Sequence, residues 1–422
     1  MNRSTEQAGW SRRAVCGALV AAGTASLPFE TLAMENSKMS TRPFRLAIPE
    51  AQLADLAARL RNTRWPVEVA PESPERGIQG KDLRELVDRW AGRFDWRKQE
   101  SLLNQLPQVT YEHEGQTLHA FHVRSRHEHA RPLVLLHGWP SSSIEFLKVF
   151  ALLTDPESRG GNARDAFHVI VPGLPGFGLS PAPQRAGWTS ANTAAGISAL
   201  MSALGYERFG IHASDMGSDV AGKLDGTSAG KVFGIHLAQD PDSVIAVASF
   251  LGMDPSKNPN LDAGQQQRVA QRIAALPDRN GYIAIQASRP KTLGYALTDS
   301  PAGQLAWIAE KFLAWTNPDK KRLEDAVDID QFLTHVSLSW FGEAGAASAN
   351  AIWESFKAMG WAPPSQTPRG VAMFNTDSFA RALLDPEKKT NHWSEFSAGG
   401  HFPAMEVPDL LVEDMRKFFA SC

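Results

Sequence analysis

The stretch Gly210-Ile211-His212-Ala213-Ser214-Asp215-Met216-Gly217-Ser218 decides how the rest of the chain is read. An apolar run, Phe209–His212, enters a tight turn and leaves it as a helix. A nucleophile on such a turn is held in a strained backbone conformation, so its neighbours must be small. With Asp215 at the apex, the residue two before is Ala213, and those two and three after are Gly217 and Ser218, all small. With Ser214 at the apex, the flanks would be His212 and Met216, both bulky. The turn therefore reads as presenting an aspartate. The competing reading is an ordinary strand–helix junction with Asp215 as a helix cap.

Outward from this turn, apolar runs alternate with helical stretches: Pro132–Leu136, Phe167–Val171, Phe209–His212 and Val232–Leu237. Continuous apolar runs suit strands buried on both faces, and their alternation with helices predicts a mostly parallel α/β sheet. From 241 to 366 the strand signal fades into helical sequence rich in Trp and Phe, which reads as a helical lid inserted into the sheet. Strands return at Gly370–Phe374 and Trp393–Ser397, and Pro408–Phe419 closes as an amphipathic helix. Upstream, Leu53, Leu56 and Leu60 have helical spacing, and Glu114-Gly115 marks a hairpin between Val109–His113 and Leu118–Val123.

The division expected is a leader over 1–33, an N-terminal extension over 41–130, a core in two parts, 131–240 and 367–422, and the lid between them. The leader reads from Arg12-Arg13, an apolar run from Val15 to Leu27, and Thr31-Leu32-Ala33 as a cleavage site after Ala33. This pattern resembles a twin-arginine export signal, and the run is too short to span a bilayer. A periplasmic location is the expectation. Cys16 would leave with the signal, so the mature chain would hold Cys422 alone and no internal disulfide.

Composition narrows the partners. The 422 residues carry 43 Lys and Arg against 46 Asp and Glu, a formal net charge of -3. Such a balance gives no electrostatic footprint for nucleic acid. Two cysteines exclude a disulfide-rich scaffold. No His or Cys spacing suggests a metal site. Oligomeric state is not readable from the chain.

Three further stretches bear on chemistry. His137-Gly138-Trp139-Pro140 ends the first parallel strand, with Trp139-Pro140 a candidate cis peptide. The backbone N–H groups of Trp139 and Met216 would together form an oxyanion hole. Ala398-Gly399-Gly400-His401-Phe402 places a histidine on a loop after the last strand. The acid that orients it is expected after Gly370–Phe374, where Asp377 is the first carboxylate, with Asp385, Glu387 and Glu395 as substitutes.

Together these residues resemble the α/β-hydrolase fold and, more narrowly, the epoxide hydrolases of the microsomal type with their own N-terminal extension. The shared motifs are His-Gly-Trp-Pro at 137–140, Gly173-Leu174-Pro175-Gly176-Phe177-Gly178-Leu179-Ser180, Gly281-Tyr282-Ile283-Ala284-Ile285-Gln286, and the stretch from Thr292 to Pro301. The resemblance implies a small apolar epoxide and water as reactants, and no cofactor. It implies that Asp215 attacks an epoxide carbon while Tyr282 protonates the oxygen. His401, oriented by Asp377, then activates water against the resulting ester. Trp139, Ile352, Trp353 and Tyr295 would line the substrate pocket.

Two positions depart from that family. A second lid tyrosine is expected just before Trp353, and Ile352 stands there; the chain has four tyrosines in all. Met216 follows the aspartate where tryptophan is usual. Alternatives left open are a haloalkane dehalogenase, for which Met216 offers no side-chain donor, with Trp139, Trp340 and Trp353 as substitutes, an esterase, and a non-catalytic protein that binds apolar ligands.

Overall fold

A computed structural model describes residues 40–422, apart from 71–72, 229, 251 and 359–364. The expected leader lies outside the described residues. The chain builds one nine-stranded sheet: β1 (Arg42–Pro43), β2 (Gln108–His113), β3 (Gln116–Val123), β4 (Arg131–Leu136), β5 (Phe167–Pro172), β6 (Phe209–Ser214), β7 (Val232–Gln239), β8 (Arg369–Phe374) and β9 (His392–Phe396). Their order across the sheet is β1-β2-β3-β5-β4-β6-β7-β8-β9. The strands from β1 to β3 and the β3–β5 pair are antiparallel, and every pair from β5 to β9 is parallel.

The central strands behave as their composition demands. All six residues of β5 and of β6 are buried, as are Leu133–Leu136 of β4. Helices cover both faces, so no polar alternation is needed. The C-terminal ends of β4, β6 and β7 lie side by side. Ligand crevices in open α/β sheets form outside such ends, where the strand order reverses.

Between β7 and β8 the chain forms a run of helices from Pro241 to Lys357. Helix Pro301–Trp315 is the pivot of this block. Its Leu305, Ile308, Ala309 and Phe312 join one apolar cluster with Leu56 and Leu60 of the N-terminal helix Glu50–Arg61. Trp90 joins the same cluster and its indole N–H donates to Ser337 Oγ at 2.9 Å. Phe312 also stacks on Phe402 at 4.0 Å, the residue after His401. The N-terminal segment thereby packs against the lid, and the lid against the loop that carries the histidine.

Candidate active site

The turn after β6 has the predicted shape. Asp215 adopts φ 47°, a left-handed conformation that is rare for a side chain larger than glycine. Gly217 is required beside it, because a Cβ there would collide with the carbonyl oxygens of Leu136 and His137. Gly138 is required on the neighbouring strand end, because a Cβ there would collide with the Asp215 side chain itself. The turn after β4 is fixed by His137. Its buried Nε2 accepts the Leu174 N–H at 3.1 Å, which leaves Nδ1 to donate to the Gly138 carbonyl at 3.2 Å. Trp139-Pro140 is cis.

This scaffold aims the Trp139 backbone N–H at Asp215 Oδ1, 2.9 Å away. The other oxygen, Oδ2, faces His401 Nε2 at 3.6 Å. The two carboxylate oxygens are thus inequivalent: one is held by a donor, the other is turned toward the histidine. Met216 occupies the first turn of helix Asp215–Thr227, where N–H groups lack helical acceptors. Among the described residues it makes no hydrogen bond to the Asp215 side chain.

The acid that orients His401 is not Asp377. His401 Nδ1 donates to Asp240 Oδ2 at 2.8 Å. Asp240 is the residue immediately after β7, and it also caps the following helix, accepting from the Ser243 N–H at 2.9 Å and the Ser243 hydroxyl at 2.6 Å. Asp377 lies beyond β8, one strand further across the sheet, where it pairs with Arg268 at 3.3 Å and Arg272 at 3.4 Å. The substitutes fare no better: Asp385 accepts the backbone N–H groups of Lys389 and Thr390, and Glu395 accepts from the Trp393 indole. In sequence, Asp240 shows only as a carboxylate that ends a buried strand, a pattern Asp377 shares, and the strand order sets Asp240 beside the histidine.

The His401 loop is anchored from below. Half-buried Glu406 accepts the backbone N–H groups of Gly400, Phe402 and Asn317 at 3.1, 3.0 and 2.8 Å. The His401 N–H donates to the Trp315 carbonyl at 2.8 Å. Burial alone would favour neutral imidazole, but the hydrogen bond and charge of Asp240, with Asp215 and Glu145 adding, raise its pKa to about 9. Glu145, missed in the sequence, is buried in the turn that follows Pro140. Burial pushes its carboxyl up to about 7, against opposing pulls from Ser141 and His401. A small cavity of ≈ 10 Å³ is bounded by Asp215, Asp240, Ser243 and His401, about the least space that admits one water.

The lid supplies the opposite wall. Tyr282, on helix Gly281–Gln286, stacks on the Trp139 indole at 4.9 Å with the rings 9° from parallel. Trp315 meets Tyr282 edge-on at 5.2 Å and lies 5.0 Å from the His401 ring. Burial, then the charges of Asp215, Asp240 and Glu310, push the Tyr282 phenol far above its ordinary pKa, so it remains a neutral donor. Ile352 is buried in the apolar cluster that contains Trp139, with Tyr282 and Trp307 packed against it. Two expected pocket residues are elsewhere. Tyr295 is 70 % exposed in a surface groove beside Asp55 and Arg59. Trp353 lies outside the cluster, with the Lys357 ammonium 3.8 Å over its ring. The helical period explains Tyr295, which points away from the face that its helix turns toward the site.

Against this geometry the comparisons are direct. Residues 41–146 match the family model described as the epoxide hydrolase N terminus, and residues 131–269 match that of the alpha/beta hydrolase fold. The chain is 31% identical to Epoxide hydrolase 1 of Sus scrofa over 405 residues, 90% of this chain and 88% of the relative. The chain belongs to the epoxide hydrolase family. Solved structures agree: an Aspergillus niger epoxide hydrolase superposes with a TM-score of 0.76 at 28% identity, covering 91% of this chain and 97% of that one. The juvenile hormone epoxide hydrolase of Bombyx mori gives 0.75 at 27% identity, covering 91% and 94%. This α/β-hydrolase is an epoxide hydrolase.

Proposed function

We propose that this hydrolase opens apolar epoxides to vicinal diols in two steps through an ester on Asp215. The observation that carries the reading is the asymmetry of the Asp215 carboxylate, one oxygen held by the Trp139 N–H and the other turned toward His401. In the first step Oδ2 attacks an epoxide carbon, the C–O bond breaks, and the oxygen takes the Tyr282 phenolic proton. An aspartate is already ionised at neutral pH and needs no base. Esterification removes the Asp215 charge that helps hold His401 protonated. The imidazole is thereby freed to act as a base in the second step, when it is needed.

In that second step His401, held by Asp240, takes a proton from water in the small cavity, and the oxygen adds to the Asp215 carbonyl carbon. The developing charge on Oδ1 is met by the Trp139 N–H. Collapse releases the diol and the carboxylate, and the proton freed in hydrolysis restores Tyr282. The aromatic wall of Trp139, Tyr282 and Trp315 favours aryl or extended alkyl epoxides.

The test is a single turnover with styrene oxide in ¹⁸O-labelled water. Label should enter Asp215 rather than the diol, and H401Q should accumulate the ester. Label appearing only in the diol, with no ester in H401Q, would overturn the two-step reading. Tyr282→Phe should slow ester formation by about a hundredfold or more, in the range seen for lost oxyanion donors; an unchanged rate would assign the proton to another group.

Export is the second part of the proposal, and it rests on Arg12-Arg13 and the short apolar run that follows. No helix among the described residues is long and apolar enough to cross a membrane. Replacing both arginines by lysine should move the protein from the periplasmic to the cytoplasmic fraction. A wild-type protein found with the cytoplasm would refute it.

A further inference from the structure

The chain has one lid tyrosine at the site, with Ile352 where a second donor was expected, and the structure places a buried cation behind that tyrosine. Lys311 lies in helix Pro301–Trp315 with its side chain 7% exposed. Its Nζ is 4.6 Å from the centre of the Tyr282 ring and 5.9 Å from that of Trp315. Lysine is seldom buried without reason, because losing the hydration of an ammonium is expensive. Its carboxylate partner is Glu310, 2.8 Å away, whose side chain is 32% exposed. That pair could form at the surface. What the inward position adds is the contact with the phenol face.

We propose that Lys311 is a positioning residue for ring opening, acting through Tyr282, and that its ammonium does part of the work a second lid donor would do. The proposal rests on the two-step reading above. The physical argument is differential. In the resting state the cation meets a neutral ring, attracted by its π face. During ring opening the Asp215 oxygen bonds to carbon and the epoxide C–O bond breaks. The electron pair passes to oxygen, and the phenolic proton follows. Negative charge then spreads onto the phenol ring, 4.6 Å from an ammonium whose side chain is largely withdrawn from water. The attraction is larger at that moment than before it, which is the condition for accelerating a step rather than merely binding.

The other charged groups around Tyr282 are Asp215, Asp240 and Glu310, all of which oppose a negative ring. His401 lies beyond Trp315 as the other cation. Asp215 loses its charge as the ester forms, whereas Lys311 keeps its own. In the hydrolytic step the ring charge is the same before and during the attack of water and is discharged only when the freed proton restores Tyr282, so Lys311 should matter little there.

Single-turnover kinetics separate the two steps, with tryptophan fluorescence and acid quench reporting the ester. K311M should slow ester formation by about 10- to 100-fold and leave ester hydrolysis within about twofold. K311R, which keeps the charge, should recover most of the loss. In the Y282F background, which retains the ring but not the proton, K311M should change ester formation by less than about twofold. K311Q, whose head can still hydrogen-bond Glu310, takes the place of K311M should the latter fail to fold. Equal slowing of both steps, additive losses in Y282F, or a neutral variant at 311 with the wild-type rate of ester formation would each overturn the proposal. Absence of any ester in the wild type would instead refute the two-step reading.

Discussion

At the scale of single residues, the site depends on which carboxylate reaches the histidine. Asp240 is hydrogen-bonded to His401, and Asp377 is paired with two arginines. D240N should therefore depress ester hydrolysis by about a thousandfold or more, as loss of the orienting carboxylate does in catalytic triads. D377N should leave both steps within about threefold, read by the same single-turnover assay. The charge around His401 makes a second prediction. With Asp240, Asp215 and Glu145 holding its pKa at about 9, the ring should titrate near that value by NMR in the wild type. In D215N, one of those charges is gone, and the titration should move down. An unmoved titration would mean that Asp215 and His401 are not electrostatically coupled.

At the scale of elements, the strand ends of β4 and β6 are held together by glycines with separate tasks. G138A would drive a methyl into the Asp215 side chain, displacing the nucleophile. Misplacement on the ångström scale can cost about a hundredfold, so G138A should lose ester formation by about that factor in the single-turnover assay. G217A would instead press a methyl on two backbone carbonyls, Leu136 and His137, which cannot swing aside. Overpacking of that kind costs about 1–3 kcal/mol, and its signature should be a lowered unfolding midpoint in urea. A G138A variant with wild-type ester formation would contradict the geometry of the β4 turn.

The whole molecule carries its titratable load asymmetrically. His119, His137 and His335 are buried, and burial lowers their pKa values to about 3, 3 and 4. A group with a depressed histidine pKa contributes stability that is present above the unfolded value of about 6.5 and is lost as pH falls toward the folded value. His401 is raised, so its contribution is present below about 6.5 and is lost as pH rises through about 9. Stability should peak near neutrality and fall on both sides. The acid side should be the steeper, because His122, His168, His212 and His236 are lowered like these three, each acting at no more than about 1.4 kcal/mol per pH unit, and together they outweigh Glu145, whose raised pKa of about 7 opposes them between about pH 4.5 and 7. Unfolding midpoints measured from pH 4 to 10 would check this; a profile flat between pH 6.5 and 4 would refute it.

Much of this architecture could be read directly from the chain. Small flanks around Asp215 pick the apex of the turn, because the left-handed backbone leaves no room for others. Continuous apolar runs identify buried parallel strands, because both faces meet helices and a polar side chain is tolerated there only with a partner, as His212 and His236 have in each other. His137-Gly138-Trp139-Pro140 and Gly399-Gly400-His401 mark the neighbouring parts for the same local reasons. What the chain did not reveal depends on distance across the sheet. Asp240 and Asp377 both follow strands, and local pattern does not say which strand end lies beside the histidine loop. Tyr295 and Trp353 look like lid aromatics until the packing of their helices leaves Tyr295 exposed and Trp353 outside the cluster around Trp139. Nothing in the local sequence marks Lys311, which the fold lays against Tyr282. Local sequence determined the elements and the nucleophile's turn, because backbone sterics and burial act within a few residues. Tertiary structure alone decided the acid and the charge behind the phenol, because charges meet through space between residues far apart in the chain.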